Sequence, residues 1–249
     1  MLKSLGAIVL LAFASLRVNA TSPTDLINTS EASTSPAVNV ATVDQVHTTN
    51  RSALANIVGG AQNPTEESRT GIEDALKTYR ELAKKEPETY LPDVAAMLND
   101  LGILDSDENR VEKARIEFEE ALKIYRQLAH KEPDIYLRYV AITLNNLGIL
   151  DGAGNRLEEA LKIYREVAHK ERETYLPYVA LTLYNLGIID SGKNRVNKAR
   201  EEYAESLKIH RDLAQKEPET YLQYVIFTNL SRSTIQISSR LLSSESKNS

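Results

Sequence analysis

One short string recurs along the chain and constrains its fold more than any other feature. Asn146-Leu147-Gly148-Ile149-Leu150-Asp151 returns as Asn185-Leu186-Gly187-Ile188-Ile189-Asp190, and Asp100-Leu101-Gly102-Ile103-Leu104-Asp105 precedes both. Each copy is followed by a cap-like Asn (Asn109, Asn155, Asn194), an Ala-rich amphipathic run and a connector of the type Lys-Glu-Pro-x-x-Tyr-Leu. A supersecondary unit repeated at this period cannot bury its apolar face alone, so neighbouring copies must stack. The expected fold is all-α, an antiparallel helix-pair solenoid. Stacked helical pairs build an extended concave surface that recognises other chains and carries no catalytic apparatus of its own.

The helical pattern begins near Ser68, where Ile72, Ala75, Leu76, Tyr79, Leu82 and Ala83 follow one apolar stripe. The stripe recurs at Ala114, Phe118, Ala121, Leu122, Tyr125 and Leu128, in short form at Ala160, Leu161, Tyr164 and Val167, and again at Ala199, Tyr203, Ser206, Leu207, His210 and Leu213. Between these runs lie helices expected to start near Pro92, Arg138, Pro177 and Gln223. Gly102 to Gly148 spans 46 residues and Gly148 to Gly187 only 39. Comparison of Asn109–Leu122 with Asn155–Leu161 places the seven-residue loss inside the second helix of the middle pair. Seven residues are two turns, which keeps the stripe on nearly the same face, and should leave that helix about 10 Å shorter with a local indentation on the outer face.

The formal net charge of −5 argues against a nucleic-acid partner, because such binders carry a basic stripe. There is no Cys, which removes disulfides, thiolate metal sites and a Cys nucleophile. Lys3 followed by the apolar run Leu5–Leu16, with Val18 and Ala20 at the −3 and −1 positions, reads as a signal peptide cleaved after Ala20 (residues 1–20). The run is too short to span a bilayer. The expected localisation is therefore secreted or periplasmic, without stable membrane insertion. Residues 21–67 are rich in Ser, Thr, Asn and Pro without sustained periodicity and read as a disordered leader; 68–241 hold the helical repeats and 242–249 a flexible tail. Three triplets, at Asn28, Asn50 and Asn229, match the N-glycosylation acceptor pattern.

The two-part motif Leu-x-x-Leu-Gly then Ala-x-x-x-aromatic occurs as Leu98-x-x-Leu101-Gly102 with Ala114-x-x-x-Phe118, Leu144-x-x-Leu147-Gly148 with Ala160-x-x-x-Tyr164, and Leu183-x-x-Leu186-Gly187 with Ala199-x-x-x-Tyr203. In this it resembles the tetratricopeptide repeats, in the long-period variety seen in kinesin light chains and many bacterial proteins. Asp105, Asp151 and Asp190 replace the motif's Tyr, and a turn role suits them. Pro87, Pro133 and Pro218 lie further along than the motif's Pro, with Arg172 in the remaining place. The resemblance implies a groove lined by the first helix of each pair. Its matching exposed positions are Asn99, Asp100, Asn145, Asn146, Tyr184 and Asn185. An Asn there can donate to and accept from a peptide backbone at once. The carboxylate clamp of chaperone-binding relatives is not expected, since Asn99, Asn145 and Tyr184 stand where its first Lys would be.

No constellation points to catalysis. His130 and His169 have no second His four residues away and read as solvated helix-end residues, while His210 takes a packing slot filled elsewhere by Tyr125 and Tyr164. Asp105–Asn109 starts like a calcium loop, but Arg110 and Ile116 occupy the positions that need Gly and Glu. No cofactor or metal is expected. The Ser-rich helix from Tyr221 to about Leu241 reads as a terminal cap with a polar outer face. The sequence thus describes an exported, non-enzymatic scaffold that binds a protein or peptide of unknown identity. A secreted effector that modulates a signalling protein of a host cell is the competing function.

Overall fold

A computed structural model describes residues 64–245, with side-chain surroundings from Arg69 to Ile237. The signal peptide, the leader up to residue 63, Asn28 and Asn50 lie outside the described residues. All regular structure in the described part is α-helical: α1 (Pro64–Ala83), α2 (Pro87–Asp107), α3 (Val111–Lys131), α4 (Pro133–Asp151), α5 (Gly154–Lys170), α6 (Arg172–Gly192), α7 (Val196–Lys216) and α8 (Pro218–Glu245). The first helix starts four residues before Ser68, and the last runs four beyond Leu241. Connectors of one to three residues force successive helices to double back on one another.

The chain forms two compact units divided within α3, after Ala121. In the first, α1 packs on α2, and the Phe118 ring from α3 lies against Gly102 of α2. In the second, α4 packs on α5, α5 on α6, α6 on α7 and α7 on α8, a solenoid-like succession of neighbours. The cores are the stripes read from sequence: Leu98, Leu101, Ala114 and Phe118 in one unit, and Leu144, Leu147, Leu157, Leu183, Leu186, Tyr203 and Leu207 in the other, are all buried.

Two kinds of connector alternate. Each second helix passes to the next first helix through a Glu at φ near −131° and ψ near 72°: Glu86, Glu132, Glu171 and Glu217. A following Pro disfavours helical backbone at the residue before it, and Pro87, Pro133 and Pro218 then open the next helix at its first turn. Arg172 follows the same conformation without Pro. The first helices therefore start five residues earlier than expected, and Pro92 and Pro177 lie inside them.

The other connector closes each first helix with a Schellman motif. Arg110 N–H donates to Asp105 O at 2.7 Å and Asn109 N–H to Ser106 O at 3.1 Å; Arg195 and Asn194 repeat this onto Asp190 and Ser191. Ala153 and Gly152 do so onto Gly148 and Ile149. The left-handed residue is Asn109 (φ 60°), Asn194 (φ 58°) or Gly152 (φ 59°). Asn is among the few L-residues that accept this region, and Gly enters it freely. Asn109 and Asn194 therefore end the preceding helix rather than cap the next, while Asn155 is an ordinary exposed residue in α5.

The seven-residue deletion is shared among three places. Counted from Gly148, α4 ends two residues sooner than its counterparts, its connector is one residue shorter, and α5 has 17 residues where α3 and α7 have 21. Four residues make α5 only about 6 Å shorter, not 10 Å. The structural counterpart of Phe118 and Tyr203 is consequently Leu157, not Tyr164. A Cβ added at Gly102, Gly148 or Gly187 would meet Phe118, Leu157 or Tyr203 at 2.7, 2.8 and 2.6 Å. At these three glycines the second helix approaches the first too closely for any side chain.

Candidate partner-binding surface

The first helices of the second unit touch side to side. Thr182 Oγ1 of α6 donates to Asn145 Oδ1 of α4 at 3.4 Å, and Arg138 Nη1 of α4 donates to the Tyr175 hydroxyl of α6 at 3.3 Å. The Tyr184 hydroxyl of α6 and Ser231 Oγ of α8 share a hydrogen bond at 3.1 Å. Second helices are joined on the outside by exposed ion pairs in a repeating register, Arg80–Glu120 in the first unit, Arg126–Glu159 and Arg165–Glu205 in the second. Such pairs add little stability.

Among the half-buried positions of α4, Arg138, Ile142, Asn146 and Ile149 are spaced by three or four residues and hence share one side of the helix. Their counterparts on α6 are Pro177, Leu181, Asn185 and Ile188. A rung of amides, Asn146 and Asn185, lies between apolar rungs Ile142/Leu181 and Ile149/Ile188. Sequence reasoning found the amides and did not single out the Ile and Leu rungs, because a helix stripe does not show how much of it a neighbour covers. Asp100 holds the same register on α2 in the first unit and is half-buried with Asn99.

Three of the six sequence candidates behave otherwise. Tyr184 is buried at 3% exposure, its ring 5.5 Å from Tyr203, so it packs against α7 rather than lining an open face. Burial raises its hydroxyl above the ordinary tyrosine range. Asn145 occupies the same register and is engaged by Thr182. Asn185 keeps the amide register but is 5% exposed, leaving Asn146 as the accessible member of the rung.

An aromatic ladder marks the opposite end of each first helix. Tyr125 stacks on Tyr139 at 5.2 Å, Tyr164 on Tyr178 at 5.4 Å and His210 on Tyr224 at 5.2 Å, with Tyr136, Tyr175 and Tyr221 tilted against the second ring of each pair. His210 thus fills the packing slot expected of it. Its Nδ1 lies 3.3 Å from Ser206 Oγ, whose proton goes to Ala180 O at 2.7 Å, so Nδ1 is the donor. Burial lowers His210 to about 4, and it is neutral at physiological pH.

Asp105 and Asp190 are not turn residues. Both sit in the last helical turns with side chains at 0% exposure. Asp105 accepts from Arg110 Nε at 2.6 Å and from Arg69 of α1, with Lys113 Nζ at 3.4 Å. Asp190 accepts from Arg195 Nε at 2.9 Å, with Lys198 Nζ at 3.2 Å. Burial alone would raise Asp190, but hydrogen bonds from Arg195 and Lys198 outweigh it and hold the carboxyl below its usual value. A second acid stands beside each: burial, then the neighbouring Asp carboxylate, pushes Glu117 up to about 8 and Glu202 up to about 7. In the middle pair Asp151 faces Arg156 at 3.6 Å. Sequence showed the Asp at each copy but not the clamp, whose Arg comes from the connector, whose Lys comes from the next helix and which, for Asp105, gains Arg69 from the helix before.

Among the described residues no three His, Asp or Glu side chains converge as a metal site requires. No described helix is long and apolar enough to cross a membrane. The tetratricopeptide repeat family model matches residues 94–129 and 140–175, each running from the middle of a first helix through the second. No curated protein gives a significant match. Repeats of this kind form protein–protein interaction scaffolds, and the two matched stretches, on paired helices closed at Gly102 and Gly148, are tetratricopeptide repeats.

Proposed function

We propose that the side of α4 and α6 carrying Ile142, Asn146, Ile149, Leu181 and Ile188 binds a segment of another protein, and that the chain acts as an exported scaffold. The observation that carries this is the pair of half-buried aliphatic rungs, Ile142/Leu181 and Ile149/Ile188, that flank the Asn146 amide on adjacent helices. Asn146 can satisfy both a carbonyl and an N–H of a bound backbone, while the aliphatic rungs take up alternate side chains. The three rungs are uncharged, and Arg138 one turn before Ile142 is held by the Tyr175 hydroxyl and the Tyr139 ring, which favours an apolar or mixed segment over a free C-terminal carboxylate. Export is supported by Lys3 and the apolar run Leu5–Leu16.

Affinity capture from the extracellular fraction tests the reading. The double variant Asn146→Ala with Leu181→Asp should lose the captured protein at least tenfold, whereas Ile116→Asp, an exposed change in the first unit, should keep it. Equal capture by all three proteins would move the binding site elsewhere. N-terminal sequencing of the released chain should begin at Thr21, and retention of Met1 would remove the export reading.

A further inference from the structure

The outer side of α8 is not the polar cap that its Ser content suggested. Leu222, Ile226, Leu230 and Ile237 are 50%, 63%, 61% and 59% exposed, and their spacing puts them on one side of the helix. Their counterparts 46 residues earlier on α6 include Ala180 and Tyr184, which α7 buries through the Ser206–Ala180 hydrogen bond and the Tyr203 ring. Thus α8 exposes the very side that α6 buries beneath its second helix.

The side has also been altered so that a second helix of the same kind does not fit. Ala180 becomes Ile226 and Gly187 becomes Ser233. At Gly187 a single added Cβ would lie 2.6 Å from the Tyr203 ring, so the corresponding position of α8 cannot admit that approach. Its occupant must accept protruding aliphatic side chains and fill the low places at Asn229 and Ser233.

We propose that the occupant is α8 of a second copy, packed antiparallel about a two-fold axis between Asn229 and Leu230. Reversal about that point sets Leu222 over Ile237, Ile226 over Ser233 and Leu230 over Asn229, so large side chains meet small ones at the centre and each other at the ends. A two-fold contact needs this self-complementarity. None of these six residues is charged, so two copies of a chain with net charge −5 bring no like charges together there. The four aliphatic side chains offer roughly 400 Å² per copy, typical of a functional patch. Buried against each other the two patches remove about 800 Å² in total, the size of a weak, reversible association, which suits a dissociation constant at or above about the micromolar range.

Sedimentation of the full chain should give twice the chain mass at concentrations well above micromolar. Ile226→Asp with Leu230→Asp, both at exposed positions, should give a single-copy mass with unchanged helical circular dichroism. The chain has no Cys, so introduced thiols report cleanly. Leu230→Cys should form an intermolecular disulfide, Leu222→Cys should not, and Leu222→Cys combined with Ile237→Cys should. A chain that stays single at about 100 times the micromolar range, a dimer that survives the Asp pair, or equal cross-linking by Leu222→Cys and Leu230→Cys would each overturn the proposal.

Discussion

The long helical pairs and the short middle pair solve the same corner in two ways. In α2–α3 and α6–α7 the helix runs two residues past its Asp, turns through an Asn, and brings an Arg of the connector and a Lys of the next helix back over a carboxylate at 0% exposure. In α4–α5 a Gly turns the chain directly after Asp151, the first turn of the second helix is missing, and the carboxylate keeps 18% exposure, 3.6 Å from Arg156. Deleting seven residues thus removed the clamp and left the packing of helix on helix intact, which shows that the Gly contact defines the repeat while the Asp clamp is an addition to it.

Substitutions at equivalent positions test that division. The largest difference is expected between Asp190→Ala and Asp151→Ala. The first removes a buried carboxylate that accepts from two cations, each nearly half exposed, and should cost about 1.5 kcal/mol in chemical denaturation. The second breaks a part-exposed pair and should cost about 0.5 kcal/mol. Equal losses would make the clamp irrelevant. Gly187→Ala and Gly148→Ala should both cost about 2 kcal/mol by overpacking, because the Gly contact is common to both kinds of pair; a cost confined to one would break the proposed equivalence of Leu157 with Tyr203.

Smaller effects should appear against pH. Burial keeps His210 neutral down to about 4, whereas the unfolded chain takes up that proton near its ordinary value of 6.5. Its contribution is present above 6.5 and is lost as pH falls toward 4. Glu202 acts in reverse. Held protonated up to about 7, it contributes fully below its ordinary 4.5 and loses that contribution as pH rises toward 7. His210→Tyr, which restores the ring found in the other two pairs, should therefore flatten the acid side of a melting-temperature profile without moving the alkaline side. A profile that keeps its acid slope in this variant would assign the loss to other groups.

The Gly-to-Gly register was legible in the sequence because each Gly is fixed by a single contact that tolerates no side chain. Paired helices followed from that register. What escaped was everything decided by a third element. Asn146 and Tyr184 look alike in a linear reading, yet one keeps partial access while Tyr203 and Ser231 from two later helices enclose the other. Asp105 read as a turn residue because Arg69, its partner from 36 residues away, leaves no local mark. The length of α5 was misjudged because three small losses align as neatly as one large one.

The stacked ring pairs have a practical consequence. The chain contains twelve Tyr and no Trp, so its near-ultraviolet signal comes from tyrosines, most of them gathered where one helix hands over to the next. Each handover carries its own chromophore. Replacing one ring at a time by Phe would let an unfolding experiment register which module opens first, with no foreign dye attached.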